Sequence, residues 1–522
     1  VSSHKGGVAS RVAANSFWFG VDSLLSIVMA FAVSIPMARV LGPEKLGYFN
    51  LIMWLTAMSG GIAGLGIPQT AGKFMAEFIG GGDYGMARAV YRRSLMMQTT
   101  MATAITLAAL AILFVFGDPR YRLVSTIQIL CTVPAMLNQI PTQANVANES
   151  MRTNMPGSLV SNLITLASVP LCLVLHWDLI GIATGMLLSR TADLVIRGWS
   201  TAKWVNRVPA SELPDPLKKR MRSFALQVSY QSVLAMVIWD KSDLIMLKAL
   251  SPDISQITFF TVAFNLAEKA VLAPVVFACS LQASVLAQYG RDKLKVPAMA
   301  TAATRYLFLF SMPLLFGMAM MSSPLIRFMY GPKFIPAIPV LQCAAVLAIL
   351  KPLAYPIDGV FRATGRQKAV LFWTTLSAIL NIVLDYLLIP HLGAVGAALG
   401  SGIALSSQVI LCLIIGLVSF DVAIDFKSLG RIVLAALAMA IPVIPLNRTL
   451  PPLAAILISP LAGAAVFILL VRAMRVLNSG DTERLMRLAA MSPAFLRRFA
   501  AGIVAFLAGT RQPEPVISAP GA

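Results

Sequence analysis

Residues 94–117 read SLMMQTTMATAITLAALAILFVFG, twenty-four positions without a charged side chain. As a helix rising 1.5 Å per residue the run covers about 36 Å, enough for the roughly 30 Å hydrocarbon core of a bilayer. Arg92 and Arg93 bound it on one side, Asp118 and Arg120 on the other. A helix on a soluble protein keeps one polar face, and this run has none that carries charge. It reads as a membrane span.

Comparable runs recur on both sides of it: 13–36, 46–68, 121–147, 155–177, 179–201, 223–248, 256–285, 305–330, 334–361, 369–390, 393–419, 429–447 and 453–474. The sequence therefore predicts an all-α, polytopic membrane protein of about 14 transmembrane helices. The composition agrees. Of 522 residues, 58% are hydrophobic and 12% charged, against the roughly 25% charged of soluble domains. A chain of ordinary soluble domains is excluded, and so is a disordered one, which would be poor in apolar residues. Arg11 precedes a long span with no small-residue cleavage site, so a cleaved signal peptide is not expected.

The 42 Lys and Arg against 22 Asp and Glu give a net charge of +20. Such a balance suits nucleic acid, an anionic membrane surface or an anionic substrate, and position decides among them. An even number of spans puts both ends on one side. With both termini cytoplasmic, 31 of the 42 cations fall on cytoplasmic loops, 8 on outer loops, and Lys241, Lys269 and Lys351 within spans. That is the positive-inside pattern. No soluble basic domain is left to hold nucleic acid. The five cysteines sit unpaired in apolar runs and the three histidines lie far apart, so neither disulfides, a metal site nor a cofactor is expected.

The two halves echo each other at an offset near 212 residues. Phe116-Gly117-Asp118-Pro119-Arg120-Tyr121 parallels Tyr330-Gly331-Pro332-Lys333-Phe334, Cys131 falls opposite Cys343, and Ile180–Gly185 parallels Val395–Gly400. A six-plus-six duplication follows, with an even number of spans per half and hence parallel lobes. The expected layout is an N-lobe over 1–204 (spans 1–6), a cytoplasmic linker over 205–222 and a C-lobe over 223–420 (spans 7–12). Spans 13 and 14 over 421–475 form an appendage, and 476–522 a cytoplasmic amphipathic and disordered tail.

Three motifs resemble the multidrug/oligosaccharidyl-lipid/polysaccharide exporter superfamily, and within it the Wzx-type flippases of lipid-linked oligosaccharides. They are Ala38-Arg39-Val40-Leu41-Gly42-Pro43-Glu44-Lys45-Leu46-Gly47-Tyr48-Phe49, then Tyr330–Phe334, then the run from Gly365-Arg366 through Asn381 to Leu388–Ala398. The resemblance covers roughly residues 10–420. It implies two helical lobes around a cavity that opens alternately to each side of a bacterial inner membrane. The implied cargo is a polyprenyl-diphosphate-linked oligosaccharide for O-antigen, exopolysaccharide or other surface polysaccharide. A polymerase, a chain-length regulator and membrane lipids are the implied partners. Lipid II flippases of the same superfamily carry arginines in the cavity-facing spans of the first lobe, whereas here span 1 has Asp22 and no arginine between Arg11 and Arg39. A drug or cation exporter of the superfamily is the nearest alternative. A polyprenol-dependent glycosyltransferase or polymerase is more distant, because it needs catalytic residues on a sizeable outer loop and these loops are a few residues long.

Ionisable residues at membrane depth cost at least about 2.5–3.5 kcal/mol each and so mark sites. In span 10, Lys351, Tyr355, Asp358 and Arg362 fall on one helical face, with Pro352 and Pro356 beside it. Asn138, Thr142, Asn145 and Glu149 show the same spacing in span 4, Arg152 continues that face, and Pro134 and Pro141 lie beside it. Two readings stand for these faces: the lining of a lumen, or helix-to-helix packing through hydrogen bonds. For a diphosphate cargo, Lys351, Lys269, Lys241 and Arg362 are the candidate counter-charges, and Asn138, Thr142, Asn145 and Tyr355 the sugar partners. Asp22, Glu268 and Asp240 are the candidates for coupling to an ion gradient. Neighbours such as Glu268 and Lys269 read equally as mutually neutralising pairs.

Overall fold

The computed structural model describes residues 3–64, 66–175, 177–239, 243–292, 294, 296–364, 367–420, 425–476, 502 and 506. Asp240, Lys241, Gly365, Arg366 and nearly all of the tail lie outside the described residues, as do the side chains of Asp22 and Arg362. Every regular element among the described residues is helical. In hydrocarbon no water is present to take up free N–H and C=O groups, and a helix satisfies them within itself.

Eleven helices among the described residues are long and apolar enough to cross a membrane. They coincide with eleven of the fourteen expected runs. The other three, 13–36, 46–68 and 223–248, fall on helical segments that partly lie outside the described residues. Many of the large apolar side chains are exposed, among them Val115 at 72%, Phe116 at 83% and Ile441 at 75%. On a soluble protein such a surface would aggregate; on this one it is the lipid-facing skin.

The chain divides into two units, Val1–Leu244 and Ile245–Ala522. The first holds α1 (Ser3–Gly64), α2 (Ile67–Gly80), α3 (Tyr84–Phe116), α4 (Arg122–Leu137), α5 (Gln139–Ala147), α6 (Met155–Val174), α7 (Asp178–Val205) and α8 (Asp215–Trp239). α1 is one path bent at Gly42, whose φ of 71° is a conformation that glycine adopts freely. The Arg39–Lys45 motif is thus a kinked helix, and its Lys45 pairs with Asp178 at the start of α7.

α9 (Asp243–Leu250) carries the boundary. The second unit continues with α10 (Ser255–Arg291), α11 (Val296–Met320), α12 (Ser322–Met329), α13 (Ala337–Leu347), α14 (Ala354–Ala363), α15 (Gln367–Leu392), α16 (Ala394–Phe420), α17 (Phe426–Ala438), α18 (Ala440–Thr449) and α19 (Pro452–Ala473). Its core joins Leu307 and Leu315 of α11 to Ile432 and Ala436 of α17 and Phe467 of α19. The last two spans therefore share one core with their neighbours in this unit.

Several local devices recur in the same order in the two units. Each half has a short 3-10 turn opening on proline, Pro119–Tyr121 and Pro332–Phe334. Each then has a helix broken near prolines, α4 to α5 and α13 to α14. Each has a hairpin held close by small residues, α6 with α7 and α15 with α16. A Cβ at Gly185 would lie 2.3 Å from the Ser168 side chain, and one at Gly400 would lie 2.5 Å from Asp385. Such approach matters because lipid is as apolar as leucine, so helices associate by packing and hydrogen bonds rather than by escape from water.

The start of α17 is fixed electrostatically. Asp425 caps it by accepting the Ser428 N–H at 3.0 Å and takes Arg305 at 3.1 Å. The Ser428 bonds, and then Arg305, hold its carboxyl below the usual carboxylate range. With the folded-state value lowered, the cap contributes fully above the unfolded value of about 3.9 and is lost as pH falls through the folded one. Asp425→Ala is expected to lower stability near neutral pH by about 0.5–2 kcal/mol. Thermal unfolding in detergent at pH 7 and in strong acid checks this: the gap between wild type and variant closes at the acid end.

Candidate functional site

In the first unit the polar face of span 4 follows the break between α4 and α5. Pro141 has no N–H for the carbonyl four residues back, so the helix steps there and Asn138 becomes the cap between two segments. The polar groups then turn to neighbouring helices. Asn138 donates to Asp193 of α7 at 2.6 Å, and Thr142 accepts from Arg197 at 3.0 Å. Asn145, with no exposed surface, donates to Asn154 at 2.7 Å and accepts from Thr201 at 3.2 Å and Trp204 at 3.0 Å.

The centre of this network is an ion pair that sequence reasoning missed. Arg197 grips Asp193 through Nε at 3.1 Å and Nη2 at 2.8 and 3.1 Å, and Nη2 also reaches Ser158 at 2.9 Å. Both side chains are only 8% exposed. Gly157 makes room, since a Cβ there would lie 2.3 Å from the Asp193 carboxylate. Arg197 had counted as one more cation of the cytoplasmic loops; it is instead buried within α7. The readable signal was the Asp–Arg spacing of four residues on one helix. In this arrangement Asn145 serves packing, and Asn138 and Thr142, half-buried, serve the same network.

In the second unit, Pro352 and Pro356 interrupt span 10. The chain passes through a 3-10 turn, Ala348–Leu353, between α13 and α14. Lys351 on that turn is half-buried, as are Tyr355 and Asp358 on α14. Gln282 of α10 donates to the Tyr355 carbonyl and to the Asp358 carboxylate, both at 3.0 Å. Glu268, exposed on α10 fourteen residues earlier, acts electrostatically on the Lys351 ammonium. Two residues singled out separately in the sequence are thus brought together across two helices. Lys269 beside Glu268 is exposed. Ile357 and Phe361 anchor α14 by packing into a buried cluster with Trp373 and Cys412.

The units therefore carry different polar interiors. The first holds a closed pair whose hydrogen bonds are directed to its own helices. The second holds Lys351, half-buried on an interrupted helix, under the electrostatic influence of the exposed Glu268 of α10. Such an arrangement can exchange one counter-charge for another, a property of ion and anion pathways.

Fold and family together give the class. The model of the polysaccharide biosynthesis protein family matches residues 36–339, more than half of the chain, and the chain belongs to that family. Its eleven long apolar helices among the described residues give it the fold of a multi-pass membrane protein. The teichuronic acid biosynthesis protein TuaB of Bacillus subtilis (strain 168) is 36% identical over 70 residues. That match spans 13% of this chain and 14% of the relative's length. Among solved structures, an inward-facing multidrug resistance transporter of the MATE family, in the MOP superfamily, superposes with a TM-score of 0.64 at 16% identity. It covers 76% of this chain and 94% of that one. A MOP superfamily transporter from Pyrococcus furiosus gives 0.55 at 16% identity, over 79% and 95% of the two chains. These likenesses are of fold, and the fold is the one that the resemblance in the motifs implies.

Removing one partner of a buried ion pair leaves the other uncompensated, at about 3–5 kcal/mol. Arg197→Ala is expected to destabilise the protein by that order. Asp193→Ala with Arg197→Met together is expected to recover much of the loss. Thermal unfolding of the purified variants checks both; an unaffected midpoint in Arg197→Ala contradicts the role.

Proposed function

We propose that the protein is a flippase that carries polyprenyl-diphosphate-linked oligosaccharides from the inner to the outer leaflet of a bacterial inner membrane, by alternating access and with both termini cytoplasmic. What supports the reading is Lys351 on the proline-interrupted span 10, within electrostatic reach of Glu268 on another helix. Family membership supplies the polysaccharide context.

A diphosphate is too strongly charged to enter hydrocarbon without a cation to meet it. Lys351 meets it, and Glu268 is its counter-charge while no cargo is bound. Arrival of the diphosphate sets two anions against one ammonium. Protonation of Glu268 removes the competitor, so cargo binding and proton uptake are linked at one residue. Tyr355 offers its hydroxyl to a sugar, and Asp358, fixed by Gln282, accepts from sugar hydroxyls. By sequence position alone, Lys269, Arg362 and Lys241 stay candidate counter-charges for the cargo, and Asp22 and Asp240 candidates for ion coupling. Asn138, Thr142 and Asn145 contribute by holding the first unit rigid. A cationic cargo would reverse these roles, using Glu268 and Asp358 and gaining nothing from Lys351.

Lys351→Ala is expected to lower surface polysaccharide at least tenfold at normal protein level, and Lys351→Arg to retain a substantial part. Glu268→Gln is expected to keep transport but lose its dependence on the proton gradient. Complementation of a strain lacking the gene, with polymer quantified on the cell surface, reads all three. Wild-type polymer in Lys351→Ala rules the reading out.

A further inference from the structure

One end of the first unit is crowded with cations, where α2 ends and α3 and α8 begin. Several are committed to the protein. Arg88 donates to the carbonyls of Asn206 at 3.4 Å and Val208 at 2.6 Å. Lys73 lies 3.7 Å from the centre of the Phe224 ring. Arg220 forms a two-point bridge to Glu77 at 2.9 and 3.2 Å.

The remainder line a pocket of about 290 Å³: Arg93 from α3 and Lys218, Lys219 and Arg222 from α8, over an apolar wall that includes Ile67 and Met97. Lys218 is answered by Asp215 at 2.8 Å. Arg93, Lys219 and Arg222 have no acidic partner among the described residues. Three like charges held around one small concavity repel each other until an anion enters.

A second feature indicates which anion. On the adjoining face of α3 a shallow groove of about 680 Å³ runs from Arg92 past Met96, Thr99 and Thr103 to Leu107. Fifteen residues of helix extend about 22 Å, more than the roughly 15 Å of hydrocarbon in one leaflet. Thr99 and Thr100 turn their hydroxyl hydrogens to their own helix, at 2.8 and 3.0 Å, so the groove makes no demand for water.

We propose that this pocket binds the phosphate of an anionic phospholipid, with an acyl chain lying along α3. A basic pocket between helices at the end of a span is suited to such a headgroup. The volume of about 290 Å³, at the lower limit of the roughly 300–1,000 Å³ usual for ligand sites, suits a phosphate headgroup. The bound lipid bridges α3 and α8 by neutralising cations from both. The site makes no assumption about the cargo and stands apart from Lys351.

The test uses the full-length protein, purified in neutral detergent, with retained lipid identified by native mass spectrometry and short-chain phosphatidylglycerol titrated back. The variants are Lys219→Gln with Arg222→Gln, both at exposed positions on which folding does not hinge, and the charge-preserving Lys219→Arg with Arg222→Lys. The wild type is expected to prefer phosphatidylglycerol over phosphatidylcholine. The Gln pair is expected to bind it at least about tenfold more weakly, the charge-preserving pair to bind normally, and added salt to weaken all binding. Unchanged binding in the Gln pair overturns the proposal. So does displacement of the phospholipid by equal or lower concentrations of inorganic phosphate, which makes the site one for a free anion. Displacement by equal or lower polyprenyl diphosphate overturns it too, and gives the pocket to the cargo.

Discussion

A charge placed among apolar helices has to bring its counter-charge with it, and the two units of this protein meet that requirement in opposite ways. In the first, Arg197 and Asp193 are sealed together, with Asn138, Thr142 and Ser158 completing their hydrogen bonds. Little of either side chain is exposed, so the pair fixes α4, α5, α6 and α7 relative to one another. In the second, Glu268 acts electrostatically on Lys351 from a different helix, and neither side chain is fully buried. Proline breaks and the Gln282 bonds hold span 10 in a shape that leaves Lys351 on a turn rather than in a regular helix.

That contrast links fold to function. A bundle that repacks as it works needs parts that stay fixed and parts that change partner. Small-residue hairpins and the sealed pair supply the first. An ammonium whose counter-ion sits on another helix supplies the second, since a diphosphate can take the place of a carboxylate without leaving any charge bare. Family membership places the protein in polysaccharide biosynthesis, and the proposed diphosphate-linked cargo is one that could use this exchange.

The membrane class, the helical fold and the recurring turns were legible in the sequence because hydrophobic length and glycine or proline punctuation are local signals. Gly331 with Pro332 announces a 3-10 turn without any knowledge of its neighbours. The Glu268–Lys351 approach was not legible, because 83 residues separate them and only the packing of α10 on span 10 joins them. Arg197 was misread for a related reason: near the end of a span, one arginine looks the same whether it faces headgroups or a buried aspartate. The matching polar spacing of spans 4 and 10 meets two different surroundings: Asn145 is fully buried in hydrogen bonds to its neighbours, and Lys351 is half-buried on a turn. What decides is the neighbouring helix, Thr201 and Trp204 in one case and Glu268 in the other.

The most direct measurement is translocation by the purified protein in liposomes. A polyprenyl-diphosphate oligosaccharide is placed in one leaflet, and the sugar reaching the other is read with a membrane-impermeant lectin. The account predicts protein-dependent appearance of the sugar, accelerated by a proton gradient that is acid on the starting side and suppressed by Lys351→Ala. Protein that leaves the sugar in its starting leaflet while moving a cationic dye across the same membrane would contradict it.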